Sequence, residues 1–305
     1  MVYDVIIIGS GPAGLTAAIY TTRANLKTLL IAGGKWGGQL MLTTIVDNYP
    51  GFSEGIQGPD LMLAMRKQAE RFGTEFVDED FSEGDFSQKP FRIKAGEKTF
   101  EGKAVIIATG ADTKWLNAPG EKEKIGKGVS SCAPCDAFFF KNKNVIVVGG
   151  GDSAMEEALV LANFANEIIV IHRSETLRAS QIMQDKAKKS PKIKFLFNTE
   201  VTRILGDEKV TGAELKNNKT GEVSRMDLDG VFVAIGLIPN TMKFKGVDLD
   251  EKGYIKVKDH TRTNINGVFV AGDVHDSHYR QAVTAAGFGC MAALEADHWL
   301  RGLDS

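Results

Sequence analysis

Cysteine is scarce in this chain, with three in 305 residues, too few for the disulfide framework that holds small secreted domains together. Charge of one sign is missing too. Thirty-seven Lys and Arg face 39 Asp and Glu for a net charge of -2, and the cations are scattered among acids, which excludes nucleic acid as a partner. No apolar run approaches the ~20 residues needed to span a bilayer, so no membrane partner is expected. The start, Met1 to Gly9, carries an apolar run without a basic flank or a small-residue cleavage site, and reads as a buried strand, not a signal peptide. Few cysteines and no export signal together make a reducing cytoplasm the expected compartment.

What the chain has is glycine, 33 of them, placed where nucleotide-binding turns need it. Val5 to Ile8 runs into Gly9-Ser10-Gly11-Pro12-Ala13-Gly14 and then into a helix, the strand, Gly-x-Gly-x-x-Gly, helix order of a dinucleotide fingerprint. A pyrophosphate sits on the amides at such a helix start. The next strand, ending at Ala32, lacks the acid that reads a ribose. Gly33-Gly34-Lys35-Trp36-Gly37-Gly38-Gln39 follows instead, and no carboxylate comes before Asp47, which argues against plain NAD at this first site. Asn48 reads either as an ordinary turn asparagine or as an amide facing a bound ring or sugar chain. Pro59 to Phe72 has amphipathic helical spacing, Thr74 to Phe100 reads as a strand and a β-meander, and Val105 to Gly110 closes the unit.

The second half repeats the plan. Asn144 to Val148 leads into Gly149-Gly150-Gly151-Asp152-Ser153-Ala154, a second fingerprint, and the strand Glu167 to His172 runs into Arg173, with Arg178 beyond. Cations there suit a 2′-phosphate. A hairpin around Asn217 to Gly221 precedes the closing strand Gly230 to Gly236. An internal repeat of this length means two similar folds, each binding a nucleotide. The expected fold class is α/β, with two Rossmann-like, three-layer ββα nucleotide-binding domains, the second inserted in the first.

Fourteen residues before the second fingerprint stand Cys132 and Cys135, two residues apart and followed by Asp136. The spacing suits a reversible disulfide closed across one helical turn and also suits zinc; His275 and His278 would complete a zinc set. The chain closes with Gly267 to Asp273, in which Gly272 and Asp273 place a carboxylate at a strand end. Tyr279, Arg280, Gln281 and Ala282 head an Ala- and Gly-rich helix whose start favours negative charge. Cys290, within that helix, is expected to be a small buried residue.

Taken together, Gly9 to Gly14 with Gly37-Gly38-Gln39, Cys132 to Asp136 beside Gly149 to Ala154, and Ala271-Gly272-Asp273 with Arg280-Gln281-Ala282 resemble the low-molecular-weight, bacterial-type thioredoxin reductases over nearly the whole length. The resemblance implies an FAD domain of residues 1–115 and 245–305, an NADPH domain of residues 116–244 carrying the disulfide, a homodimer, and thioredoxin or a thioredoxin-like protein as partner. It implies FAD contacts at Ser10, Gly11, Pro12 and Ala13, at Ala32, Gly33, Gly34, Gly37, Gly38 and Gln39, at Asn48, near Phe81, at Asp273 and at Arg280, Gln281 and Ala282. For NADPH it implies Ser153, His172, Arg178, Ile235, Tyr254 and Arg280. Cys135 would meet the flavin, Cys132 would attack the partner, and Asp136 would move the proton. Ser174 stands where the family has a second arginine, and Ala137 where it has glycine.

Overall fold

The computed structural model describes residues 1–43 and 45–302. Its chain forms two compact units, Met1–Asp112 with Ile238–Ser305, and Thr113–Leu237. The parallel strands are continuous apolar runs because both of their faces are covered. In Val2–Ile8, Val5 and Ile7 enter one core with the small faces of helices α1 (Pro12–Arg23) and α6 (Ala282–Leu300). Ile6 and Ile8 enter a second core with Phe81, Phe91, Ile93 and Phe244. Helix α2 (Gly58–Arg71) adds Leu61, Met62, Met65 and Ala69 to the first core, as its spacing predicts.

In the first unit the sheet order is Glu75–Val77, Thr28–Ile31, Val2–Ile8, Lys98–Ile107, Phe91–Ala95, Phe81–Asp85, with Val268–Val270 also paired to Lys98–Ile107. The register sets Ile8 opposite both Ile31 and Ile107, and Val270 opposite Ile107. Four parallel strands therefore end level. The turns after them, at Gly9, Ala32, Ala108 and Ala271, gather at the carboxyl edge where open α/β sheets bind ligands.

The second unit holds a five-stranded parallel sheet in the order Val129–Ser130, Gly230–Val233, Asn144–Val148, Glu167–Ile171, Ile193–Leu196. Helices α3 (Ala133–Asp136), α4 (Asp152–Leu161) and α5 (Gln181–Lys189) also belong to it. A separate antiparallel sheet, Thr199–Leu205, Gly212–Asn217 and Val223–Asp227, carries the expected hairpin. Val145 and Val147 enter a core with α4, and Ile146 and Val148 one with the antiparallel sheet. Val148 lies opposite Ile171 and Val233, so the turns at Gly149, His172 and Ala234 also share one edge.

Residues 238–244 fall in the first unit and 113–115 in the second, the reverse of what the resemblance implies for each. Phe244 stacks on Phe81 at 4.7 Å, and the Asn240 amide donates to the Thr109 carbonyl at 3.1 Å. Among the described residues no helix is long and apolar enough to cross a membrane.

Candidate active site

Gly9 has φ 112°, and a Cβ there would lie 2.2 Å from the Ala108 carbonyl oxygen, so this turn admits only glycine. Beside Gly11 the space is open, which leaves the amides at the start of α1 accessible. Ser10 ties this turn to the next one: its hydroxyl donates to the Ala32 carbonyl at 2.8 Å and accepts the Gly37 amide at 2.9 Å. Asp80 accepts the Gly34 amide at 2.9 Å. Phe81 itself has its ring in the core, and it is its neighbour that faces the glycine loop. Gln39 donates to Asp112 at 3.0 Å, while Asn48 donates to the Gln281 side chain at 3.2 Å, so two expected contact residues far apart in sequence meet. Gln281 caps α6 in a box with Thr284.

Gly272 sets the close of this site. A Cβ on it would lie 2.9 Å from that of Ala13, which brings Asp273 beside the fingerprint. Asp276 accepts the amides of His278, Tyr279 and Arg280 and so fixes the loop at the head of α6. Asp273 Oδ1 is buried without a hydrogen-bond partner. Burial, and then the nearby Asp276 charge, push its carboxyl up to about 6, against the pull of Arg280.

In the second unit, Gly150 is the close-approach position, since a Cβ there would come within 2.3 Å of the His172 ring. His172 is buried, its Nε2 lies 3.0 Å from the Thr176 carbonyl, and burial lowers its pKa from the ordinary histidine value. It packs under the glycine turn, next in sequence to Arg173. Arg173 and Arg178 are exposed. The Arg178 and Ala179 amides both donate to the Gly150 carbonyl, at 2.7 and 2.9 Å, and Ser180 donates its amide and hydroxyl to Asp152. These bonds hold the basic loop against the second fingerprint. Beside Gly151 the space is again open. Ser153 is exposed, Ala154 is buried and Ile235 is half-buried. Tyr254 is a buried residue of the first unit.

Cys132 and Cys135 are joined in a disulfide, with 5.3 Å between their Cα atoms. The bond takes both thiolates out of the zinc alternative. Cys132 is half-buried and Cys135 exposed. Sequence reading missed two residues here. Ser130 accepts the Cys132 amide at 3.0 Å and donates to Asp136 Oδ2 at 2.5 Å; Glu157, from α4, accepts the Ala133 amide. A serine two residues ahead of the motif is a readable turn signal, whereas Glu157 lies too far along the chain to leave one. Burial raises the Asp136 pKa, and the Ser130 hydrogen bond opposes the rise. Cys290 is half-buried and not fully buried as expected.

The family model described as pyridine nucleotide-disulphide oxidoreductase matches residues 3–289. Thioredoxin reductase of Mycolicibacterium smegmatis is 52% identical over 305 residues, covering 99% of this chain and 98% of that one. That of Rickettsia prowazekii is 52% identical over 302 residues, with 97% of each chain covered. The chain belongs to the thioredoxin reductases. The solved thioredoxin reductase from Giardia duodenalis superposes with a TM-score of 0.94 at 43% identity, covering 98% of this chain and 99% of that one. Thioredoxin reductases are pyridine nucleotide-disulphide oxidoreductases that use FAD and NADPH.

The first unit fits a flavin nucleotide. Open space at the start of α1 suits a pyrophosphate, and the orphaned Asp273 oxygen suits a hydroxyl donor. Such a donor would favour the ionised carboxylate, so FAD binding is expected to lower the Asp273 pKa, with affinity full above about pH 6 and falling as pH drops below it. FAD titrations of the apoprotein are expected to show weaker binding at about pH 5 than at about pH 7.5. Asp273→Asn is expected to lose most of that difference; an unchanged pH dependence in the variant would assign it to another group.

Proposed function

We infer that this chain reduces the disulfide of thioredoxin with electrons from NADPH, passed through FAD and the Cys132–Cys135 pair. The observation that carries the reading is a closed Cys-x-x-Cys disulfide followed directly by a half-buried carboxyl, in the same unit as the second fingerprint. Gly9 to Gly14, Ala32 to Gln39, Asn48, Asp273 and Arg280 to Ala282 would hold FAD. Gly149 to Ala154 with Arg173 and Arg178 would hold NADPH. Bound FAD supplies the two-electron chemistry that links a nicotinamide to a disulfide.

The chain's own part is thiol-disulfide exchange. In the reduced pair the Cys132 thiolate attacks one sulfur of the thioredoxin disulfide; that bond breaks and a mixed disulfide forms. Asp136 gives a proton to the leaving thiolate. The Cys135 thiolate then attacks the Cys132 sulfur, which re-forms the bond between the two cysteines and releases the second thioredoxin thiolate; a proton from solvent completes dithiol thioredoxin. The reading extends to a homodimer in a reducing cytoplasm, supported by the family likeness and by the scarcity of cysteine. NADPH-driven reduction of a panel of thioredoxin-like and glutaredoxin-like proteins tests it. Absence of turnover with every thioredoxin would overturn it, and turnover with glutaredoxins alone would reassign the partner.

Nucleotide choice follows from the loop after His172. No acid occupies the strand end that binds both ribose hydroxyls in NAD enzymes, and Arg173 and Arg178 flank it, which supports NADPH over NADH. Ser174 withholds the second arginine of the family pair. Glu175, adjacent to it, is paired at 2.9 Å with Lys219 from the hairpin, so its charge is offset. Ser174→Arg is expected to raise the ratio of kcat/KM for NADPH over NADH by about tenfold, the effect of one charge-assisted contact. Arg178→Ala is expected to erase most of the ratio. Better use of NADH by the unmodified protein would sink this assignment.

A further inference from the structure

Glu157 makes a contact that none of the roles above uses. It lies midway along α4, the helix that starts at the second fingerprint, and its carboxylate accepts the N–H of Ala133, a fully buried residue between the two cysteines. The preceding N–H, that of Cys132, is held by Ser130 at 3.0 Å. The amides before and after the Cys132 side chain are thus fixed from two different elements, the strand Val129–Ser130 and α4. The first amides of a helix have no partner within it, and a carboxylate is a strong acceptor for them. The same charge opposes a thiolate on a neighbouring sulfur, because like charges repel. Of the other charged groups near the pair, Asp136 is also a carboxyl, and Lys141 and Lys143 are exposed beyond it.

We propose that Glu157 is a positioning residue of the redox pair, holding Cys132 through the Ala133 amide and biasing the Cys132–Cys135 couple toward its disulfide form. The inference rests on the reading of this pair as a reversible disulfide. The equilibrium that reports it is balanced: two glutathione thiols give up two electrons and two protons, the bond between Cys132 and Cys135 breaks to two thiols, and one glutathione disulfide forms.

The test equilibrates the FAD-loaded protein anaerobically with glutathione buffers near about pH 8, traps free thiols with a maleimide and counts them by mass. Glu157→Gln keeps an acceptor for the amide and removes the charge. It is expected to move the equilibrium about threefold to tenfold toward dithiol, about 15 to 30 mV, with thioredoxin turnover retained. Glu157→Ala, which also removes the acceptor, is expected to show the same shift together with about tenfold slower turnover, rescued in the Gln variant. Equilibria within twofold of the parent in both variants would overturn the proposal, as would a change in melting temperature alone. Should Glu157→Ala fail to fold, the Gln variant still decides. Because the measurement uses neither NADPH nor thioredoxin, a failed turnover assay in the parent would count against the proposed function and not against this inference.

Discussion

Cys132→Ser and Cys135→Ser are each expected to bring thioredoxin reduction to background while FAD stays bound. Both sulfurs are needed, because one must attack the partner and the other must release the mixed disulfide that results. A serine hydroxyl can do neither at neutral pH. The glycine turns and the carboxylate expected to hold FAD belong to the first unit and the cysteines to the second, so both substitutions leave those residues in place. The buried surroundings change little as well: Cys135 is exposed and Cys132 half-buried, and both backbone partners of the first turn survive replacement of sulfur by oxygen. NADPH should therefore still bleach the flavin absorbance in both variants. The two differ in what they trap. With a thioredoxin whose single cysteine is blocked as a mixed disulfide with thionitrobenzoate, Cys135→Ser should displace thionitrobenzoate and accumulate a mixed disulfide through Cys132, and Cys132→Ser should not. The reverse pattern would exchange the roles of the sulfurs, and normal turnover in either variant would remove the dithiol mechanism altogether.

Much of this site was legible because its chemistry is local. Gly9 must take φ 112° where a strand turns into a helix, and that demand leaves a glycine at a fixed offset. The disulfide likewise closes within one turn of chain. What was not legible is supplied across long separations by folding. Asp80 accepts the Gly34 amide across a separation of 46 residues, and Lys219, from the hairpin, offsets Glu175. Phe244 stacks on Phe81 and so moves the boundary between the units. Side-chain direction is likewise set by folding: Arg173 is exposed, whereas its neighbour His172 is buried beneath Gly150.

Asp136→Asn is expected to slow the disulfide step by about 10²- to 10⁴-fold, the range for loss of a positioned general acid-base. Burial raises the Asp136 pKa, so the side chain keeps its proton to higher pH than an ordinary carboxyl does, as an acid that protonates a leaving thiolate requires. Ser130 limits the rise by donating to the ionised form, which leaves the proton transferable. Asparagine matches the shape and still offers an oxygen to Ser130, so the loss would report proton transfer and not a collapsed turn. Stability supplies the control. A carboxyl whose folded pKa lies above its unfolded value contributes stability that is present below the unfolded pKa and is lost as pH rises through the folded pKa. At neutral pH and above, the parent therefore bears the cost of a buried charge that the asparagine variant lacks. Asp136→Asn should be at least as stable as the parent at about pH 8, with any advantage shrinking toward about pH 4. Flavin reduction by NADPH should change little, since Asp136 is not among the residues assigned to either nucleotide. Rapid-mixing measurements of thioredoxin reduction beside thermal melts at both pH values separate the outcomes. Full activity in the variant would show that solvent supplies the proton, whereas a variant both slow and less stable at the higher pH would mean that the carboxylate is structural.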